Sequence, residues 1–100
     1  METFGQIIRT KREAKGLLLR QVAAQLDIDQ AILSKIEKGD RKPTRENISK
    51  LAEVLEIDKE KLMIQFLSEK IADEIAGDDC ASQALKVAEK KVKFIQANQK

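Results

Sequence analysis

The residues of this chain that could do chemistry gather in one short stretch, DIDQAILSKIEKGDRKP, residues 27 to 43. Leu33 and Ile36 are spaced for the buried side of a short helix, which leaves Gln30, Ser34 and Lys35 pointing elsewhere. Gly39 follows, surrounded by Lys38, Arg41, Lys42 and Arg45. Amide, hydroxyl and ammonium groups with no base beside them donate and accept hydrogen bonds, so the chemistry on offer is recognition. Cationic side chains next to the backbone amides that open a following helix can hold anions such as phosphate. By themselves, Gln30, Ser34 and Lys35 are an ordinary solvated helix face, because outward polar residues are the rule.

Catalysis has little to work with. The chain has no histidine and one cysteine, Cys80, so neither a zinc site nor an internal disulfide can be assembled. No serine has a plausible base and there is no glycine-rich phosphate loop; Asp78 and Asp79 read as a helix cap. No enzyme, cofactor, metal site or small-molecule ligand is expected. One hundred residues suit one domain with a small appendage, and 42% hydrophobic with 36% charged residues supply a core without a disordered composition. The N-terminus METFGQII lacks a basic segment followed by an apolar one, and no run approaches a membrane span, which predicts a cytoplasmic protein without a membrane partner. The net charge of +2 hides an asymmetry: residues 1–50 carry 11 basic and 7 acidic side chains, residues 51–100 carry 8 and 10. The basic half is the one that holds the stretch above.

A single proline, four glycines and three aromatic residues leave few places to turn strands, so the elements that position these groups are helices. Thr3 and Gln6 form a capping box for a first helix running to about Lys15, with Phe4, Ile7, Ile8 and Ala14 apolar and Gly16 as the stop. A second spans about Leu19 to Leu26, with Val22, Ala23 and Leu26 inward. Asp29 is placed to cap a third, Gln30 to Lys38, that ends at Gly39. Thr44 caps a fourth, Arg45 to Leu55, whose Ile48, Leu51, Ala52 and Leu55 form a core stripe. Asp58 caps a fifth, Lys59 to about Ala76, and a sixth runs from about Cys80 to Gln96 with a continuous apolar stripe of its own.

The second and third helices are separated by three residues, with a small Ala23 where they cross and Ile28 in the bend. These are the requirements of a helix-turn-helix. The run GLLLRQVAAQLDIDQAILSKIEKGDRKPTRENISKLAEVLEIDKEKL resembles the DNA-binding domain of the Xre and Cro/C1-type transcriptional regulators. The likeness covers about residues 4 to 66 and implies an all-α, five-helix lambda-repressor-like fold over 1–66, with 67–100 as a C-terminal helical extension. It also implies that the third helix enters the major groove of double-stranded DNA with Gln30, Ala31, Ser34 and Lys35 reading base edges. The phosphate contacts would come from Lys38, Arg41, Lys42 and Arg45, with Arg9 and Arg20 in second rank. Arg12 and Glu37 match two family positions that form an ion pair between the first and third helices. Leu18 and Leu19 depart from the family's polar opening of the second helix, which puts a phosphate contact there in doubt.

One recognition helix reads too few base pairs to find a genomic site, which predicts a homodimer on a palindromic operator. The sixth helix, through Leu85, Ala88, Val92 and Ile95, and the end of the fifth, through Ile71 and Ile75, are the expected contact. The alternative is that the sixth helix folds back on its own domain. The expected function is a repressor or a controller of a restriction-modification operon; a protein-interaction module with the same fold, or an antitoxin, is the competing reading.

Overall fold

The computed structural model describes residues 1–99 and contains six α-helices: α1 (Phe4–Ala14), α2 (Leu19–Leu26), α3 (Gln30–Lys38), α4 (Arg45–Leu55), α5 (Lys59–Ile75) and α6 (Ala81–Ala97). No strand occurs among the described residues. The chain divides into two compact units, Met1–Glu69 and a second from Lys70 onward.

Local sequence accounts for the helix ends of the first unit. Thr3 accepts from the Gln6 amide while the Gln6 side chain accepts from the Thr3 amide, closing the box at 3.2 and 2.8 Å. Thr44 and Asn47 do the same for α4, and Asp58 Oδ1 accepts from the amides of Glu60 and Lys61 in α5. Asp29 precedes α3 in extended conformation, yet its side chain accepts no hydrogen bond, so the expected cap is absent. At the other ends, α1 to α4 all close by one device. A residue at or near the last turn donates back three residues, and the next residue donates back five: Leu17 to Arg12, Ile28 to Ala23, Asp40 to Lys35 and Ile57 to Ala52, at 2.8 to 3.1 Å. The device needs a left-handed residue, which Gly16 and Gly39 supply freely and Asp27 (φ 56°) and Glu56 (φ 55°) supply against a Cβ.

The core is one cluster in which Leu33 and Ile48 are wholly inaccessible and Ile8, Leu51, Leu55 and Leu62 nearly so. The helices α1 to α4 contribute residues three and four positions apart, as amphipathic helices must to leave water, and α5 contributes Leu62 alone. The stripe of α1 differs from expectation. Ala14 is exposed, and the buried positions are Phe4, Gly5, Ile8 and Arg12, because the helix turns its Gly5 side against α3. A Cβ at Gly5 would collide with the Glu37 carbonyl oxygen and lie 2.7 Å from that of Ile36, so this crossing admits glycine alone. α5 is fastened to α1 by an edge-to-face pair of Phe4 and Phe66, centroids 6.0 Å apart, and by Glu69, whose carboxylate accepts from the Phe4 amide at 2.7 Å. An anion at the start of a helix meets the positive end of its dipole. Glu69 is the last residue of the first unit.

In the second unit, no residue of α6 is buried. Leu85, Val92 and Ile95 are each about half exposed, and Phe94 is more so.

Candidate nucleic-acid interface

The corner between α2 and α3 is built by Asp27, Ile28 and Asp29. Asp27 turns left-handed and Ile28, half-buried, packs against the core while its amide closes onto Ala23. Ala23 is 2% exposed, which leaves no room for a larger side chain where the two helices meet. Leu33, Ile36 and Glu37 form the buried side of α3. Everything on the other side faces outward: Gln30, Ala31 and Lys35 are exposed and Ser34 is partly so. The short outward residues at the helix's start leave its backbone free to approach a partner closely.

Arg12 and Glu37 set the attitude of α3. The Arg12 Nε donates to Glu37 Oε2 at 2.7 Å and Nη2 to Oε1 at 3.0 Å, a two-pronged contact of charged groups. Nη1 donates to the Leu17 carbonyl at 2.9 Å, so one guanidinium joins α1, the α1–α2 turn and α3. Both residues are less than a tenth exposed, and no buried side-chain polar atom among the described residues lacks a partner. The hydrogen bond to Glu37 pushes the Arg12 pKa above its usual value, against the opposing effect of burial. A glutamate in the last turn of a helix opposes the dipole, so this contact is what makes Glu37 tolerable there.

The basic residues fall into two groups. Lys35, Lys38, Arg41, Lys42 and Arg20 are exposed and have no acidic partner among the described residues. Others are engaged: Arg9 leans 3.7 Å from Glu13 in the next turn, and Arg45 directs Nη1 at the Met63 sulfur, 3.9 Å away. Lys50, which the sequence did not single out, lines an open hollow of about 360 Å³ together with Ile28, Ile32, Arg41 and Lys42. It is paired with Glu46 at 3.3 Å. Local periodicity could not single it out, because it lies one turn beyond the loop whose charges it joins.

The doubtful start of α2 divides its two leucines. Leu18 is exposed and Leu19 packs against the core; the Leu18 amide is held by Gln21 Oε1 at 2.8 Å, which replaces half of the usual cap. Gly5, Glu69 and Gln21 are the residues that hold the interface in place without having been singled out beforehand. In the second unit Ile71, Leu85, Ala88, Val92 and Ile95 are exposed and Ile75 partly so.

Two short helices meeting at a three-residue corner, seated on three others with one polar face left outward, define a helix-turn-helix protein. The helix-turn-helix family profile matches residues 8–62. The chain belongs to this family, in its Xre and Cro/C1-type branch. It is 40% identical over 83 residues to the HTH-type transcriptional regulator RghRB of Bacillus subtilis, across 77% of this chain and 60% of that protein. It is 42% identical over 64 residues to the HTH-type transcriptional repressor RghR of the same organism, across 63% and 47%. The regulator Rv0474 of Mycobacterium tuberculosis is 33% identical over 61 residues, across 61% and 44%. The chain thus spans about half the length of the curated relatives it matches. No solved structure matches.

Proposed function

We propose that the chain is a sequence-specific regulator of transcription that binds double-stranded DNA with α3 in the major groove, acting as a homodimeric repressor on a palindromic operator. The observation that carries this reading is the exposed row Gln30, Ala31 and Lys35 on a helix held by a buried ion pair, beside cations that no acidic group among the described residues occupies. Gln30 suits the N6 and N7 of adenine, Ala31 a thymine methyl, and Lys35 the O6 or N7 of guanine; Ser34 can serve either kind of edge. Lys38, Arg41, Lys42 and Arg20 are free to meet phosphates, while Arg45 and Arg9 must first give up Met63 and Glu13.

Dimerisation through α6 and the end of α5, with Ile71, Ile75, Leu85, Ala88, Val92 and Ile95, supplies the second half-site that one recognition helix lacks. The heptad spacing of Leu85, Ala88, Val92 and Ile95 along α6 supports a helix-to-helix contact. Repression is supported by the name of the relative RghR; control of a restriction-modification operon is a narrower form of the same role. Selection of bound duplexes from a random pool tests the whole reading. A palindromic consensus with half-site centres about one helical turn apart is expected. Recovery of a pool with no consensus, at a salt concentration where the protein is folded, overturns it.

A further inference from the structure

We propose that Lys50 is a further phosphate-binding residue, held by Glu46 in the free protein and passed to the DNA backbone when α3 enters the groove. This rests on the reading of the chain as a DNA-binding regulator.

The hollow of about 360 Å³ beside α3 is where the groups meet. One wall is α3 itself, through Ile32 and Ile36, and another is the first half of α4, through Asn47 and Lys50. Arg41 and Lys42 come from the loop that joins the two helices. The major groove is about 12 Å wide and a helix with its side chains about 10 to 12 Å across, so a duplex that holds α3 brings its backbones close along the sides of the helix. A phosphate at the mouth of this hollow meets cations from the loop and from α4 together.

The three cations are not equally free. Arg41 and Lys42 are exposed and have no acidic partner among the described residues. Lys50 Nζ lies 3.3 Å from Glu46 Oε1, one turn back on α4. The lysine side chain is 38% exposed and the glutamate side chain 76%, so the stem of Lys50 rests on the protein while its partner stands in water. A solvated pair within one helix is a weak contact, and a phosphate oxygen replaces it with a charge-assisted hydrogen bond. Asp27 and Glu46 are the acids of the same lining, which therefore carries three cations against two anions. A phosphate gains Lys50 only by displacing Glu46, and that makes Glu46 a brake on binding.

The test is the salt dependence of DNA binding by the full chain, followed by fluorescence anisotropy of a labelled duplex, with folding of each variant checked by circular dichroism. Lys50→Met keeps the apolar stem and removes the charge; it is expected to lower the logarithmic salt slope by about 1, and Lys50→Arg to keep the slope of the parent. Lys59→Met makes the same loss of charge at the first residue of α5, beyond the other end of α4, and is expected to leave the slope unchanged. Glu46→Gln removes the competitor and should bind about twofold more tightly, a gain that disappears when it is combined with Lys50→Met. A Lys50→Met slope equal to that of the parent, a Lys59→Met slope that falls as far, or a Glu46→Gln gain that persists beside Lys50→Met overturns the assignment while leaving DNA binding in place. A parent with no salt-dependent affinity for duplex DNA refutes the DNA-binding reading itself.

Discussion

Replacing Glu37 with alanine probes the contact on which the recognition helix depends. The substitution removes the acceptor of two charge-assisted hydrogen bonds, 2.7 and 3.0 Å long, and leaves a guanidinium that is 9% exposed. Hydrogen bonds to charged groups contribute about 1.5 to 3 kcal/mol each, and stranding one member of a buried pair costs about 3 to 5 kcal/mol. Two effects oppose this. Relief of the unfavourable anion at the end of α3 returns about 0.3 to 1 kcal/mol. Arg12 also keeps its bond to the Leu17 carbonyl at 2.9 Å, which holds the loss near the lower limit. A net loss of about 3 kcal/mol remains, a large share of the 5 to 15 kcal/mol typical of a domain. It corresponds to a fall of roughly 12 °C or more in Tm for a unit of this size. Urea unfolding of Glu37→Ala is measured beside a cycle of Glu37→Leu, Arg12→Met and the pair Arg12→Met with Glu37→Leu. The double variant is expected within about 1 kcal/mol of the parent, since apolar replacement removes the desolvation cost together with the bond. If Glu37→Ala unfolds within about 0.5 kcal/mol of the parent, a limit far below the buried-pair cost, the guanidinium is not stranded and the reasoning fails.

Gly5→Ala should lower stability by about 1 to 3 kcal/mol in the same assay, because the new methyl must push α1 off the backbone of α3 at Glu37; a neutral variant would mean the two helices separate freely. Glu56 is held below the ordinary glutamate range, first by its hydrogen bond to Lys15 and then by that ammonium's charge. Its contribution is therefore complete above the unfolded pKa and disappears as pH falls through the lower folded one, so the parent and Lys15→Met should converge in stability on acidification. Equal spacing of their unfolding midpoints at every pH refutes it. Affinity for DNA should fall with salt at a logarithmic slope near 0.9 per phosphate neutralised, and Lys42→Ala should lower that slope by about 1 while Gln30→Ala changes sequence preference and leaves the slope alone. Truncation after Gly77 should abolish dimer while retaining the folding transition of the first unit; a truncated chain still dimeric at low concentration assigns the contact elsewhere.

How much of this was legible beforehand depends on the distance over which each feature acts. The six helices, Thr3 with Gln6, Thr44, Asp58, and the stops at Gly16 and Gly39 are written in residues within four positions of one another, as are the stripes Val22, Ala23, Leu26 and Ile48, Leu51, Ala52, Leu55. The same local signal failed where a side chain's partner lies elsewhere. Ala14 fits an apolar stripe by spacing but is exposed, since α1 rotates to bring Gly5 against α3. Asp29 has the residue type of a cap and makes no cap bond.

By itself, then, the order of residues determined that this is an all-helical chain with a tight corner, a trimmed outward face on its third helix and a basic loop after it, because helix periodicity and capping are decided by near neighbours. Tertiary structure alone decided that Gly5 is a point of backbone contact and that Glu69 tethers α5 to the first amide of α1. These depend on groups 30 to 65 positions apart, and only packing brings such groups within bonding distance.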